Sequence, residues 1–402
     1  MKCPTTILFI LILPLAYGQQ ARQEAERYYT SGENARNTGR YEEALRNFNT
    51  CVQLDAGYYE AYTSRAAVKE RLGDWPGAVT DYSIYLEKFP NHAETLFSRA
   101  IARYEAKQYR FAIDDFILFL DMPGGNETNA IYYRQSAFGG GTDGIMTAQG
   151  NIKDQVFNYL GLAEFHLEEY TQAIVYFDSA IALNPGEADY YVHRGLAKQE
   201  GTKDTHGAEA DYKKALALNE DHPLALHNLG VLIREGPDPA AAEAHFSKAI
   251  ERFPELPYSY LERAHFRMTT GNLRGALSDY NKALALNDSD ADAWVNRGLV
   301  KDKLNDLKGA YQDFTQAIER RANYEKAWFC RGNVLSKMNR LQDALEDYSV
   351  ALLYYPEYAL ALYNRAIVQQ RMGQLVKACE DLERAEAAGM KVNEHLREKV
   401  CR

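Results

Sequence analysis

The 402-residue sequence has little of several things that would carry chemistry. It has five cysteines, and no two of them sit at the C-x2-C spacing of a zinc site. There is no H-E-x-x-H, no G-x-S-x-G and no glycine loop of the phosphate-cradling kind. Beyond the N-terminus no apolar run approaches the length of a membrane span. Cations are in deficit: Lys+Arg is 46 against Asp+Glu 56, a net charge of −10, so the overall electrostatic footprint of a nucleic-acid binder is missing. Tryptophan is scarce at 3, whereas tyrosine reaches 29. With 46% apolar and 25% charged residues, the composition is that of a folded protein and excludes wholesale disorder.

The N-terminus reads as a leader. Lys2 supplies a positive start, Ile7 to Leu15 is a short apolar run, and Ala16-Tyr17-Gly18 places small residues before Gln19. This pattern predicts a signal peptide over 1–18 and an exported protein, periplasmic or secreted, with no membrane span after cleavage. Cys3 precedes the apolar run and so cannot be a lipoprotein anchor.

The dominant signal is a period of 34 residues. Arg263, Arg297, Arg331 and Arg365 follow it, as do Ala242, Ala276, Ala310, Ala344 and Ala378. Ten units on this ruler begin at Ala25, Tyr59, Ala93, Asp154, Ala188, Pro223, Pro257, Ala291, Glu325 and Ala359. Position 8 of each is Gly or Ala and position 20 is always Ala. Position 24 is aromatic except at Leu382. Small residues at 8 and 20 let two antiparallel helices approach closely, and the ring at 24 fills the layer beside them. These columns resemble the tetratricopeptide repeat family over roughly residues 25 to 392. The resemblance implies an all-α fold: a right-handed α-solenoid superhelix of helix-turn-helix units, with a concave groove lined by the first helices. It also implies binding and assembly in place of catalysis, with no cofactor.

A second pattern is electrostatic. Position 7 is Arg in seven units and position 23 is Asp in the same seven, giving Arg65–Asp81, Arg99–Asp115, Arg194–Asp211, Arg263–Asp279, Arg297–Asp313, Arg331–Asp347 and Arg365–Asp381. The units lacking Arg (Ser31, Leu160, Leu229) also lack Asp, which predicts structural ion pairs within units and not between neighbours.

The ruler breaks twice. One extra residue in Gly201–Gly207 predicts a longer inter-helix loop. A larger insert, 121–153, separates units one to three (25–120) from units four to ten (154–388). Ala130–Gln135 and Gly144–Ala148 read there as a small β-hairpin across a glycine turn. After Gly389, the stripe Val392, Leu396, Val400 predicts a capping helix over 389–402. Cys379 faces that cap, so a Cys379–Cys401 disulfide is expected in an oxidising compartment. Cys51 reads as a small core residue.

The functional expectation is an extracytoplasmic scaffold whose groove binds another protein or an extended peptide segment. Position 6 carries Asn228, Asn296 and Asn364, amides able to pair with a peptide backbone. Tyr258, Leu261, Val295, Phe329 and Tyr363 are expected beside them as an apolar and aromatic lining. Position 5 holds neither Lys nor Arg in any unit, which disfavours a basic clamp on a C-terminal carboxylate. The competing readings are an architectural spacer in an envelope complex, and a metal-dependent enzyme using the insert or the groove histidines His166, His193, His227 and His265. No catalytic or metal-binding residue is assigned.

Overall fold

In the computed structural model the backbone is described for residues 6–122, 127–128, 131–135, 142–147, 150–234 and 240–401. Among the described residues, nine helix pairs close through a repeated turn. The residue between the two helices of each is left-handed: Gly39, Gly73, Gly271 and Gly373, but also Asn305, Asn339, Lys107, Glu168 and Lys203. One residue on, Asp74, Asn272 and Asp306 accept a hydrogen bond from the backbone of Gly77, Gly275 and Gly309 and cap the second helix.

The chain falls into two compact bodies, Met1–Asn219 and Glu220–Arg402. The first contains α1 (Thr6–Asn37), α2 (Tyr41–Leu54), α3 (Tyr59–Arg71), α4 (Trp75–Lys88), α5 (Ala93–Glu105), α6 (Tyr109–Asp121), α7 (Lys153–His166), α8 (Tyr170–Leu183), α9 (Ala188–Ala197) and α10 (Thr205–Leu218). The second contains α11 (Pro223–Arg234), α12 (Ala240–Arg252), α13 (Pro257–Thr269), α14 (Leu273–Leu286), α15 (Ala291–Lys303), α16 (Leu307–Arg320), α17 (Glu325–Lys337), α18 (Leu341–Tyr354), α19 (Ala359–Arg371), α20 (Leu375–Ala387) and α21 (Glu394–Val400). Consecutive helices pack as antiparallel pairs. In the second body the first helices α11, α13, α15, α17 and α19 also touch one another in order. α1 begins at Thr6 and runs unbroken through the expected leader into the first pair. Among the described residues no helix is long and apolar enough to cross a membrane.

The small-residue columns make the pairs. All ten position-20 alanines, Ala44 through Ala378, are fully buried. A Cβ on Gly298 would lie 2.6 Å from the Phe314 ring, and one on Gly332 2.8 Å from Tyr348. The glycine therefore sets how closely the two helices pack.

The single extra residue near 201 does not lengthen a loop. Lys198–Thr202 forms a π-turn at the end of α9, Lys203 takes the left-handed position, and Asp204 caps α10. A wider i→i+5 turn absorbs one residue without disturbing the pair.

In the insert, β1 (Glu127–Thr128) pairs antiparallel with β4 (Gly150–Asn151), and β2 (Ile131–Gln135) with β3 (Thr142–Thr147). The second strand of the inner pair starts earlier than the alternation suggested, at Thr142. Ala130, Ala148 and the glycine turn lie outside the described residues. At the other end, Gly389 turns the chain with φ +88. α21 then lays Val400 onto Ala366, Ala378 and Leu382, with Val392 and Leu396 beside it.

Candidate functional site

Each of the seven arginines is a three-way clip. Its Nε and Nη2 donate to both carboxylate oxygens of the aspartate in its own pair; for Arg297 and Asp313 both distances are 2.8 Å. The same geometry recurs at Arg65–Asp81, Arg99–Asp115, Arg194–Asp211, Arg263–Asp279, Arg331–Asp347 and Arg365–Asp381. All seven aspartates are buried. Such bidentate, charge-assisted pairs are the strongest hydrogen bonds available to a protein.

The remaining Nη1 reaches the second helix of the preceding pair, which the sequence pattern had not suggested. Its partners are Asn49, Ser83, Asp178, Ser247, Asn281, Thr315 and Ser349. The Arg–Asp pairs themselves lie within single units; the guanidinium fork has a donor left over after binding a carboxylate, and it adds a link to the neighbour. A second cation, four residues after the arginine, also reaches the aspartate in five pairs: Lys69, Arg103, Lys198, Arg267 and Lys301. In the last two pairs that position is Leu335 or Gln369. Burial accordingly raises the Asp347 carboxyl above its usual range, although Arg331 pulls it down.

The expected lining residues separate into two groups. Val295 is fully buried and Phe329 nearly so, in one core cluster with Phe314 and Tyr348. Position 5 faces the ring column, so these two side chains are core and not ligand surface. Leu261 packs on Ala264, Tyr280 and Val300. Tyr363 bridges the clusters around Val368 and Ala366. Tyr258 stands edge-on to His227 at 4.7 Å.

The amides also differ. Asn364 donates to Asn333 Oδ1 at 2.8 Å, the same oxygen that accepts from Tyr348, also at 2.8 Å. Asn364 is thus committed internally. Asn296 is half-buried, and its side chain makes no hydrogen bond among the described residues. Asn228 Nδ2 is buried without a partner, as is Nδ1 of the neighbouring His227, whose imidazole is lowered to about 4 by burial and then by Arg234.

The other histidines stand in separate settings. His166 stacks on Tyr109 at 4.8 Å, and His193 is buried with Nδ1 2.8 Å from Asn158 Oδ1. His265 is exposed. Among the described residues no group of three His, Cys, Asp or Glu side chains is placed to hold a metal ion. The most displaced carboxylates lie on α3 and α5: burial pushes Glu70 up to about 8 against a hydrogen bond from Tyr82, and Glu105 up to about 7. Glu70 thereby serves as the acceptor for a core tyrosine. A cavity of about 450 Å³ lies at the roots of the insert, lined by Leu120, Lys153, Phe157, Ser179, Ala182 and Leu183. Cys379 and Cys401 are joined by a disulfide with their Cα atoms 5.0 Å apart, while Cys51 and Cys330 are free and buried.

Stacked helix pairs with first helices side by side define an α-solenoid repeat protein. The tetratricopeptide-repeat profiles match residues 29–93, 202–257, 261–325 and 325–358, more than half the chain, which belongs to this family. It is 26% identical over 264 residues to human tetratricopeptide repeat protein 6, covering 65% of this chain and 46% of that protein. It is 28% identical over 210 residues to mouse tetratricopeptide repeat protein 16, covering 50% and 25%. The chain therefore spans less than half the length of both relatives. Among solved structures it resembles the crystal structure of the APC/C hetero-tetramer Cut9–Hcn1, with a TM-score of 0.50, 14% identity, and coverage of 94% of this chain and 76% of that one. Proteins of this family are in general protein-interaction scaffolds and not enzymes.

Proposed function

We propose that the chain is an extracytoplasmic scaffold that holds an extended segment of another protein along the first helices of its second body. The observation that carries this reading is Asn296. Its side-chain amide sits on α15 with both donor and acceptor unengaged among the described residues, whereas the equivalent Asn364 is tied to Asn333. Asn228 on α11 adds a second unengaged donor, with Tyr258 close by for apolar contact. An amide pairs with a peptide backbone whatever the segment's sequence. Val295 and Phe329 are no longer part of the surface, and Asn364 is a secondary element of it.

The test is binding of peptides selected from a random library against the full chain. Replacing Asn228 and Asn296 together by Ala is expected to weaken them about tenfold, or about 1.4 kcal/mol, at unchanged helical content. Unaltered binding would move recognition elsewhere, first to the cavity at the roots of the insert.

The export reading rests on the leader-like N-terminus and on the Cys379–Cys401 disulfide, a bond that persists in oxidising compartments. N-terminal sequencing of protein from the native host is expected to begin at Gln19. A chain beginning at Met1 would reject it.

A further inference from the structure

Where a unit carries the arginine, its guanidinium closes the seam between successive second helices. Arg99, for example, joins Asp115 on α6 to Ser83 on α4. The seam between α6 and α8 lacks this closure. Leu160 stands in the arginine's place, Tyr176 in the aspartate's, and Ile117 where an acceptor would be. Leu160 is fully buried in the core with Phe116 and Val156. The cavity of about 450 Å³ opens there, with Leu120 of α6 and Leu183 of α8 on its walls and Phe157 of α7 beneath.

The rim of that seam is apolar and acidic. Phe111, Asp114, Leu118 and Asp121 lie at i, i+3, i+7 and i+10 along the exposed face of α6. Phe111 is 59% exposed and Leu118 49%, and Ile117 beside it is exposed as well. On α8, Val175 is 50% exposed, and Ala182, seven residues on, is exposed too. In α16 the places of Asp114, Ile117 and Leu118 are all polar, Gln312, Thr315 and Gln316. Asp114 and Asp121 make no hydrogen bond or ion pair among the described residues, whereas Asp178 on α8 is held by Arg194.

We propose that the seam between α6 and α8 is a second binding surface, which takes a basic amphipathic helix of a partner protein. It lies on second helices of the first body, and the groove amides lie on first helices of the second. The occupant follows from spacing and charge. Phe111 and Leu118, Asp114 and Asp121, and Val175 and Ala182 are each one heptad apart, about 10 Å along the helix axis. A helix laid along the seam repeats its own faces at that interval. Its apolar row meets the apolar rows and seats a side chain in the cavity, while Lys or Arg one heptad apart pair with the two aspartates. Over the same distance an extended strand advances about three residues and presents its opposite face. A second copy of the chain would set aspartate against aspartate, and an anionic lipid surface would meet the same like charge.

The probes are three fluorescein-labelled helical peptides of three heptads each. One has a heptad stripe of leucine flanked by lysine, one the same stripe flanked by glutamate, and one a serine stripe flanked by lysine. Titrated against the full chain by anisotropy, the leucine–lysine peptide is expected to bind about tenfold tighter than either of the others. A benzophenone placed in its stripe should cross-link to α6 or α8. Asp114→Asn with Asp121→Asn should erase the preference for lysine over glutamate flanks. Ile117→Ser with Leu183→Ser should lower the leucine–lysine peptide to the affinity of the serine–lysine one. All four side chains are exposed, so neither variant should lose helical content. Glu346→Gln with Leu353→Ser, on the exposed face of α18, should change nothing. Equal affinity of the leucine–lysine and serine–lysine peptides, cross-links outside α6 and α8, or unaltered binding in the Ile117/Leu183 variant would overturn the surface. A dimer in sedimentation that this variant dissociates would give the seam to a second copy, and phosphatidylglycerol vesicles bound by the native chain but not by the variant would give it to lipid; either result would also overturn the proposal.

Discussion

Arg331→Ala should destabilise the chain by about 4 kcal/mol, and Arg297→Ala by only about half as much. Both remove a bidentate partner from a buried aspartate and a link to the preceding pair, to Thr315 and Asn281 respectively. The difference lies in what remains. Asp313 keeps Lys301 at 2.9 Å, so its charge stays paired. Asp347 has Leu335 where that lysine would be, and loses its bidentate cation. Removing one partner of a buried pair costs more than the pair contributed, because the other charge stays desolvated. The pH dependence separates this from lost packing. The Asp347 carboxyl is already raised by burial, and without Arg331 it rises further. A carboxyl whose folded pKa exceeds its unfolded value destabilises above that folded value and ceases to do so as pH falls through it. The deficit of Arg331→Ala should therefore shrink as pH is lowered from neutrality, whereas that of Arg297→Ala should change less. Urea unfolding across pH measures both. Equal costs at pH 7, or equal pH profiles, would contradict the role given to Lys301.

Much of this arrangement was legible because a repeat prints each packing constraint many times. The column of alanines and the Arg–Asp columns are spacings within one helix pair, and the period alone exposes them. The link between pairs was equally present and was missed. Position 25 holds Asn49, Ser83, Asp178, Ser247, Asn281, Thr315 and Ser349, each followed by a unit that carries the arginine. It holds Ile117 and Lys213 where the next unit has leucine in its place. Charge complementarity alone does not reveal this link, because most of these acceptors are neutral.

The lining of the groove was harder to read, since position 5 and position 6 are adjacent on one helix and both look apolar or polar by turns. Only packing shows that Val295 and Phe329 point into the ring column while Asn296 does not. The π-turn at Lys198–Thr202 was hidden for a different reason. An extra residue reads as a loop in sequence, and whether a helix end can absorb it depends on the neighbouring pair. Likewise no spacing shows that the Tyr348 hydroxyl bonds Asn333 while the buried hydroxyl of the equivalent Tyr280 has no partner among the described residues; the distinction is that His265 stands where the chain elsewhere places the acceptor Asn333.

Cys401→Ser should cost about 3 kcal/mol, concentrated in the last helix pair. The disulfide closes a loop with a sequence separation of 22, and that loop contains the end of α20, the Gly389 turn and α21. α21 is only seven residues long, too short to hold itself as a helix, so its place depends on what ties it down. Its apolar contribution is Val400, 3% exposed, over Ala366, Ala378 and Leu382, with the partly buried Leu396 beside it. Release of the cap would open that end face of the stack to water, and a terminal pair without a cover is the weakest link in a chain of nearest-neighbour interfaces. Amide exchange should therefore accelerate in α19, α20 and α21, while α13 to α16 keep their protection. Reductant should reproduce the effect in the native chain and add nothing in Cys401→Ser. Uniform loss of protection through the second body would show that its pairs unfold as one unit, and full protection of α19 to α21 would show that apolar contact alone holds the cap.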